Sequence, residues 1–211
     1  SIIMNCRNSQ EYLPEAIDSV FAQSYTHWEI IFWDNASTDD SATIAQGYGE
    51  KVRYFRGDTA IALGQARNLA MTEAKGRYLS FLDCDDKWFP QKLQKQVELL
   101  EIRKDIDFAY SNYFRLIMPK TDSLILGLRG SQPEGDVFGR FLYEYPVNLQ
   151  TVMLRMDAVN SLQQKFDVNF EVSEEYDFFM RLLFKSKALY INEALAIYRF
   201  HQNMSSQRLL D

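Results

Sequence analysis

Phe81-Leu82-Asp83-Cys84-Asp85-Asp86 is the stretch on which the reading of this chain turns. The apolar run Tyr78-Leu79-Ser80-Phe81-Leu82 before it reads as a buried strand. Three carboxylates within four residues then follow, with nothing large and apolar until Trp88. The chain therefore leaves the core and turns outward at Asp83. Three clustered acids repel one another, and a fold tolerates them best with a cation among them. Hard oxygen ligands suit Mg²⁺ or Mn²⁺ rather than zinc. The same acids would equally suit the solvated start of a helix, which Pro90-Gln91-Lys92-Leu93 announces. On this stretch alone both readings stand.

The segments before it supply context. Ile2-Ile3-Met4 reads as a strand followed by the polar turn Asn5 to Ser9. Leu13, Ala16, Ile17, Val20 and Phe21 recur at helical spacing and line one face, with Pro14 in the first turn. Glu29 to Trp33 is a second strand, ending in Asp34-Asn35-Ala36-Ser37-Thr38-Asp39-Asp40. These side chains cap a helix running to Gln46, with Gly47 expected as its left-handed stop. Val52 to Phe55 is a third strand. Leu63 to Ala74 is a helix with Ala66 and Ala70 toward the core, ended by Gly76. The result is a β-α-β-α-β-α-β series of uniformly apolar strands, which implies a mainly parallel sheet covered by helices on both faces. Ligands in such sheets bind beyond the carboxyl ends of the strands, where Asn5–Ser9, Asp34–Asp40 and Asp83–Asp86 collect.

Beyond the opening stretch, residues 91–104 form an amphipathic helix presenting Leu93, Val97 and Leu100, and Ile106 to Ser111 is a further strand. Residues 112–148, broken by Gly127, Gly130, Pro133 and Gly135, read as loops and short elements. Val152 to Arg155 is a strand, Tyr176 to Lys185 a buried helix, and Ala188–Ile191 and Leu195–Tyr198 two short strands.

Composition narrows the function. The 211 residues suit one domain with a substantial core, 46% being apolar. A formal net charge of −6 argues against a nucleic-acid surface. No apolar run is long enough to span a membrane, and the first residues lack a signal-peptide pattern. The chain opens directly on the strand-like Ser1 to Met4, as a trimmed chain would. Cys6 and Cys84 lie far apart, and with two His they make a zinc site improbable; reduced cysteines in a cytoplasmic setting are expected. There is no G-x-G-x-x-G, Walker A or G-x-S-x-G sequence, which disfavours dinucleotide oxidoreductases, P-loop NTPases and nucleophile-elbow hydrolases. A parallel sheet with carboxylates at its strand ends and a divalent cation suits the handling of a diphosphate.

Several motifs together resemble family 2 glycosyltransferases of the GT-A fold. Ser1 to Tyr25 is similar to that family's opening, and Trp33-Asp34-Asn35-Ala36-Ser37-Thr38-Asp39 to its second-strand motif. Gly64-Gln65-Ala66-Arg67-Asn68 resembles its Gly-x-x-Arg-Asn helix, and Phe81-Leu82-Asp83-Cys84-Asp85-Asp86 its DxD element. Glu174-Glu175-Tyr176-Asp177 with Arg181 resembles its Glu-Asp motif, and Tyr198-Arg199-Phe200-His201 a frequent C-terminal signature. The likeness is close over 1–110 and looser over 150–206.

The resemblance implies a single Rossmann-like α/β domain over 1–211, with a nucleotide-binding half at 1–110 and an acceptor-binding and catalytic half at 111–211. It implies an inverting, Mn²⁺- or Mg²⁺-dependent transfer of a sugar from a nucleotide-diphosphate sugar, UDP-linked by expectation, to a hydroxyl. The expected acceptor is a carbohydrate or a lipid-linked sugar of bacterial polysaccharide or glycolipid synthesis. The expected setting is the cytoplasm, with peripheral association at the inner membrane face. Asp34 would accept a hydrogen bond from the nucleobase, the alternative being a helix cap. Arg67 would contact the nucleotide, the alternative being an ion pair. Asn5 and Arg7 would line the nucleotide or serve only as turn residues. Asp83 would hold the ribose or the metal, Asp85 the metal, and His201 a metal or phosphate. The family's base is the Asp of its Glu-Asp pair, and Glu175 stands there, one methylene longer. Glu174 and Asp177 are the other candidates, and all three acids also suit a helix N-terminus. A degenerate nucleotide-sugar-binding domain is the second reading, favoured only by Glu175. A sugar nucleotidyltransferase ranks third, because Asn5 to Ser9 contains no Gly.

Overall fold

The computed structural model describes residues 1–118, 123–170 and 172–201. Strands β1 (Ile2–Cys6), β2 (Ile30–Asp34), β3 (Val52–Arg56) and β4 (Tyr78–Phe81) lie parallel in the order β3-β2-β1-β4. Helices α1 (Leu13–Phe21), α2 (Ser41–Gln46) and α3 (Leu63–Thr72) connect them. The two-residue period of the strands divides the core. Ile3, Ile31, Leu79 and Phe81 pack on the face that carries α3. Ile2, Met4, Ile30 and Phe32 pack on the other, against Leu13, Ala16, Ile17 and Val20 of α1. Phe21 departs from its expected face: it is exposed, edge-on to Trp28 at 5.0 Å. The left-handed stop expected at Gly47 lies two residues later. Gly47 keeps a helical φ of −64°, and Gly49 turns at +78°.

The second half supplies the antiparallel part of this mainly parallel sheet. It contains β5 (Lys87–Trp88), α4 (Lys92–Ile102), β6 (Phe108–Ile117), β7 (Leu124–Leu126), α5 (Phe138–Phe141), β8 (Met153–Arg155), α6 (Met156–Asn160), α7 (Glu174–Leu183) and β9 (Ala188–Phe200). The sheet continues β4-β8-β6-β9-β5, with β8 antiparallel to both neighbours, β9 parallel to β6, and β7 antiparallel on β6. The two short strands expected at the end are one 13-residue strand. Its pairing with β6 shifts register around Asn112, which hid its continuity. β6 itself runs to Ile117 through a segment read as loop, because Asn112 and Arg115 interrupt its apolar pattern. Positions 202–211 of the expected catalytic half lie outside the described residues.

Helix α4 buries more than its apolar stripe. Lys92 is fully buried, with Nζ 4.0 Å from the Trp88 ring centre, donating to Gln96 Oε1 at 2.7 Å and to the Val152 carbonyl at 3.3 Å. Burial pushes its pKa well below the usual lysine range. On the opposite face, Phe81 packs edge-on to Phe166, Phe178 and Phe179, which fixes α7 against the last parallel strand. No helix among the described residues is long and apolar enough to cross a membrane.

Candidate active site

The carboxyl ends of β1 to β4 gather polar groups on one edge. The turn after β1 is tied to the turn after β2: Asn8 N–H donates to Ser37 Oγ at 3.1 Å, and Thr38 N–H to Asn8 Oδ1 at 2.8 Å. This contact holds Asn8 at a φ of +55°, a conformation Asn tolerates. Asn5 keeps a buried side-chain amide nitrogen with no partner among the described residues, whereas Arg7 is exposed. The two distant cysteines meet beneath this edge. Cys84 donates to the Asn5 carbonyl at 3.3 Å. Its thiol also supports that of Cys6, which this contact and neighbouring serines hold at about 7 against the opposing effect of burial.

Asp34 stands where expected but is fully buried. Its Oδ1 accepts the Ser37 N–H at 2.7 Å, and its Oδ2 accepts Tyr54 Oη at 2.6 Å and Arg56 Nη1 at 2.5 Å. Burial opposes its charge, but these donors outweigh it and hold its pKa below the usual carboxylate range. The nucleobase contact expected of Asp34 would fall on a buried carboxylate that already accepts three hydrogen bonds. Tyr54 and Arg56 were not singled out from the sequence. The parallel register that places Arg56 beside Asp34 is the signal that could have found them.

Arg67, on α3, is the hub of the acidic cluster. It is buried and donates to Glu174 Oε1 at 2.5 Å. Its Nη2 lies 3.5 Å from Asp83 Oδ1, and its Nη1 4.0 Å from Glu175 Oε2. Gly64 lets α3 come this close: a Cβ there would sit 3.3 Å from the Asp167 carbonyl and 3.6 Å from Glu174 Cγ. Burial pushes the Glu174 pKa up, and Arg67 only partly offsets it. Asp83 is pushed up to about 6, by surrounding protein first and then by Asp85, Glu175 and Glu174, with Arg67 opposing. Its side chain nevertheless keeps 38% of its surface open to solvent.

Helix α7 brings its three acids to this edge unequally. Ser173, at φ +58°, turns the chain into the helix, and the acids occupy the first turn, where the macrodipole favours them. Glu174 points inward to Arg67. Asp177 is occupied by Arg181, at 2.7 and 3.0 Å, and Arg181 also donates to the Gln164 carbonyl at 2.5 Å. Neither is a free base. Glu175 keeps 36% of its side chain exposed beside Arg67 and Asp83.

The remaining acids meet the end of β9. His201 Nε2 lies 2.9 Å from Asp85 Oδ2, and its ring packs on Tyr12 at 4.8 Å. Asp86 is not a solvated helix start. It is buried, its Oδ1 accepts the Arg199 N–H at 2.8 Å, and burial followed by Asp85 and Asp83 drives its pKa well up. Arg199 stacks on Tyr12 at 4.3 Å and pairs with Glu15 Oε2 at 3.0 Å. Among the described residues no three His, Cys, Asp or Glu side chains converge as a self-sufficient cation site. His201 and Asp85 are the two expected ligands that lie within hydrogen-bond distance of each other. The donor chemistry still fits a hard cation: Asp83 and Asp85 offer partly open carboxylate oxygens, and Mg²⁺ is commonly held by one or two carboxylates together with substrate phosphates. A separate cavity lies at the opposite end of the strands, between Tyr25, Trp28, Tyr78 and Glu101, away from these acids.

Known proteins resemble this chain in sequence and in fold. The family described as Glycosyl transferase family 2 matches residues 1–139. The putative teichuronic acid biosynthesis glycosyltransferase TuaG of Bacillus subtilis is 31% identical over 214 residues, covering 98% of this chain and 81% of TuaG. WfaP of Escherichia coli, a UDP-Glc:alpha-D-GlcNAc-diphosphoundecaprenol beta-1,3-glucosyltransferase, is 30% identical over 203 residues, covering 95% of this chain and 77% of WfaP. S. aureus TarS 1–349 in complex with UDP-GlcNAc superposes with a TM-score of 0.82 at 19% identity. That match covers 98% of this chain, which spans 60% of the TarS chain, and it speaks to the fold alone. With a GT-A architecture and a family match over more than half its length, the chain belongs to glycosyl transferase family 2 and is a glycosyltransferase.

Proposed function

We propose that this protein transfers a sugar, with inversion, from a UDP-sugar to a hydroxyl of a carbohydrate or lipid-linked acceptor in bacterial cell-surface polysaccharide synthesis. The observation that carries this reading is the convergence of Asp83, Glu174 and Glu175 on Arg67, with Asp85 beside them, at the carboxyl ends of parallel strands. The relatedness to TuaG and WfaP supports the polysaccharide and lipid-linked acceptor classes. The half carrying β1 to β4 holds the nucleotide through Asn5, Arg7, Asp34, Arg67 and Asp83, and the half carrying α7 holds the acceptor.

In an inverting transfer the acceptor hydroxyl attacks the anomeric carbon as the nucleoside diphosphate leaves. Glu175 takes the hydroxyl proton, being the α7 acid with an open side chain. Glu174 acts by keeping Arg67 in place, so the guanidinium offsets the negative charge around Asp83 without neutralising the base. Asp85, with Asp83, holds Mn²⁺ or Mg²⁺, and His201 orients the Asp85 carboxylate. The cation, when bound, stabilises charge developing on the diphosphate. Release of nucleoside diphosphate from a panel of nucleotide-sugars with Mn²⁺ tests the proposal. Turnover of a UDP-sugar, increased by the correct acceptor, is expected. UDP binding without any hydrolysis or transfer across donors and acceptors would instead make this a degenerate binding domain.

A further inference from the structure

Beneath the carboxylate edge lies a pair of groups that the transfer reaction does not use. The chain carries two cysteines, and both are free. β1 and β4 pair Ile2 with Ser80 and Ile3 with Phe81, and the Leu82 N–H donates to the Ile3 carbonyl at 3.0 Å. Carried on past β4, this register sets Cys84 opposite Cys6. The contacts agree. Cys84 donates to the Asn5 carbonyl at 3.3 Å, the two thiols hydrogen-bond to each other, and both lie in the core layer of Ile2, Met4 and Leu82. Neighbouring strands lie about 4.8 Å apart, inside the roughly 4.4–6.8 Å between Cα atoms that a disulfide spans. Cys6 is 1% exposed and Cys84 4%. A bulky thiol is thus kept out, whereas hydrogen peroxide is hardly larger than the water that reaches Asp83 beside Cys84.

From this geometry we infer that Cys6 and Cys84 are a modification site: a small peroxide converts them to a disulfide that switches the enzyme off, and a dithiol reductant restores them. One sulfur, as thiolate, attacks a peroxide oxygen; the O–O bond breaks, water leaves and a sulfenic acid remains. The other sulfur attacks the sulfenic sulfur; the S–O bond breaks, and a second water carries off the remaining thiol proton. Two thiols are oxidised by two electrons, and one hydrogen peroxide is reduced to two waters. The new bond is about 2.05 Å long, so Cys84 must leave the Asn5 carbonyl and draw toward Cys6. Asp83 and Asp85 flank Cys84, and their carboxylates shift with it. Loss of transfer is a consequence that rests on the nucleotide-sugar reading above; formation of the disulfide does not.

Hydrogen peroxide treatment of the purified protein, followed by intact mass, non-reducing peptide mapping and UDP-sugar turnover in Mn²⁺, tests it. The expected product is a chain two hydrogens lighter, with a Cys6–Cys84 cross-linked peptide and neither of the two thiols left to react in urea. Turnover should fall at least about tenfold, since a displacement of about 1 Å at a reacting centre costs up to about 10²-fold, and should return with dithiothreitol. Cys6→Ser and Cys84→Ser should each turn over like reduced wild type and keep most of that turnover in peroxide, because neither can form the bridge. Thiols that survive peroxide, or that end as sulfinic or sulfonic acids or as bridges between chains, would overturn the site. A Cys6–Cys84 disulfide that leaves turnover intact would overturn the switch, as would peroxide losses in both serine variants equal to that of wild type. A reduced wild type that neither binds UDP nor turns over a UDP-sugar would instead remove the nucleotide-sugar reading, and mass and mapping alone would then decide the disulfide.

Discussion

Replacing Arg67 with Met tests the electrostatic design of the site most directly. The substitution removes the buried cation while nearly conserving side-chain volume. Three carboxylates then remain around an apolar centre: Glu174, formerly 2.5 Å away, Asp83 at 3.5 Å and Glu175 at 4.0 Å. Removing one partner of a buried ion pair costs about 3–5 kcal/mol. Only Glu174 is buried as deeply as Arg67, and Asp83 and Glu175 keep an open face that screens their share. The lower end of that range, about 3 kcal/mol, is therefore expected at pH 7. For a domain of this size it corresponds to a fall in Tm of roughly 6–12 °C.

The pH dependence has a definite sign. Asp83 and Glu174 have folded-state pKa values above their ordinary ones, Asp83 about 6 against 3.8. The folded state thus binds more protons in this window, and stability falls as pH rises through it. Arg67 restrains that fall, so without it the shifts grow. The deficit of Arg67→Met should be largest near pH 7 and shrink toward pH 4, as the carboxyl groups become protonated in both proteins. Urea denaturation followed by tryptophan fluorescence at several pH values measures it. A deficit below about 1 kcal/mol at pH 7, the range of a surface pair, or one constant from pH 4 to 7, would refute the claim that Arg67 holds the cluster by charge.

Three further outcomes are expected. Glu175→Gln should retain UDP-sugar binding while losing transfer by about 10²–10⁴, seen as a fall in kcat at nearly constant KM; substantial residual turnover would move the base elsewhere. Asp85→Ala should abolish the Mn²⁺-dependent part of UDP binding, read by calorimetry with and without the cation; equal enhancement by Mn²⁺ in variant and wild type would remove Asp85 as a ligand. Asp177→Asn should lower Tm by a few degrees through loss of the Arg181 clamp yet leave kcat within about twofold, because Asp177 faces Arg181 rather than the cleft; a catalytic loss comparable with that of Glu175→Gln would contradict this placement.

The parallel half was legible because its signals are local. Each strand from β1 to β4 is an apolar run ending in polar residues, and α1 and α3 carry their core faces at helical spacing. The second half was less so, for reasons of topology. β8 is three residues long and owes its place between β4 and β6 to long-range pairing, and β9 crosses a register irregularity that reads as a break. Within the site, positions at strand ends could be anticipated, but partners could not. Glu174 looked like a spare base and is Arg67's counter-ion, and Asp86 looked like a helix start and is buried beneath β9. Arg56 carried no motif at all. Such pairings depend on which side chains the fold brings together, information that spacing along one segment does not contain.

The uninterrupted sheet has a mechanical consequence. Because β8 bonds to β4 on one side and β6 on the other, the half carrying β1 to β4 and the half carrying α7 are laced into a single nine-stranded ladder. Opening them as a clamshell would break that ladder between β4 and β8, which share two residue pairs and contribute Leu79, Phe81, Met153 and Leu154 to the core. The carboxylate edge, with Asp34 at the end of β2 and Asp83 just past β4, thus stands on one continuous floor.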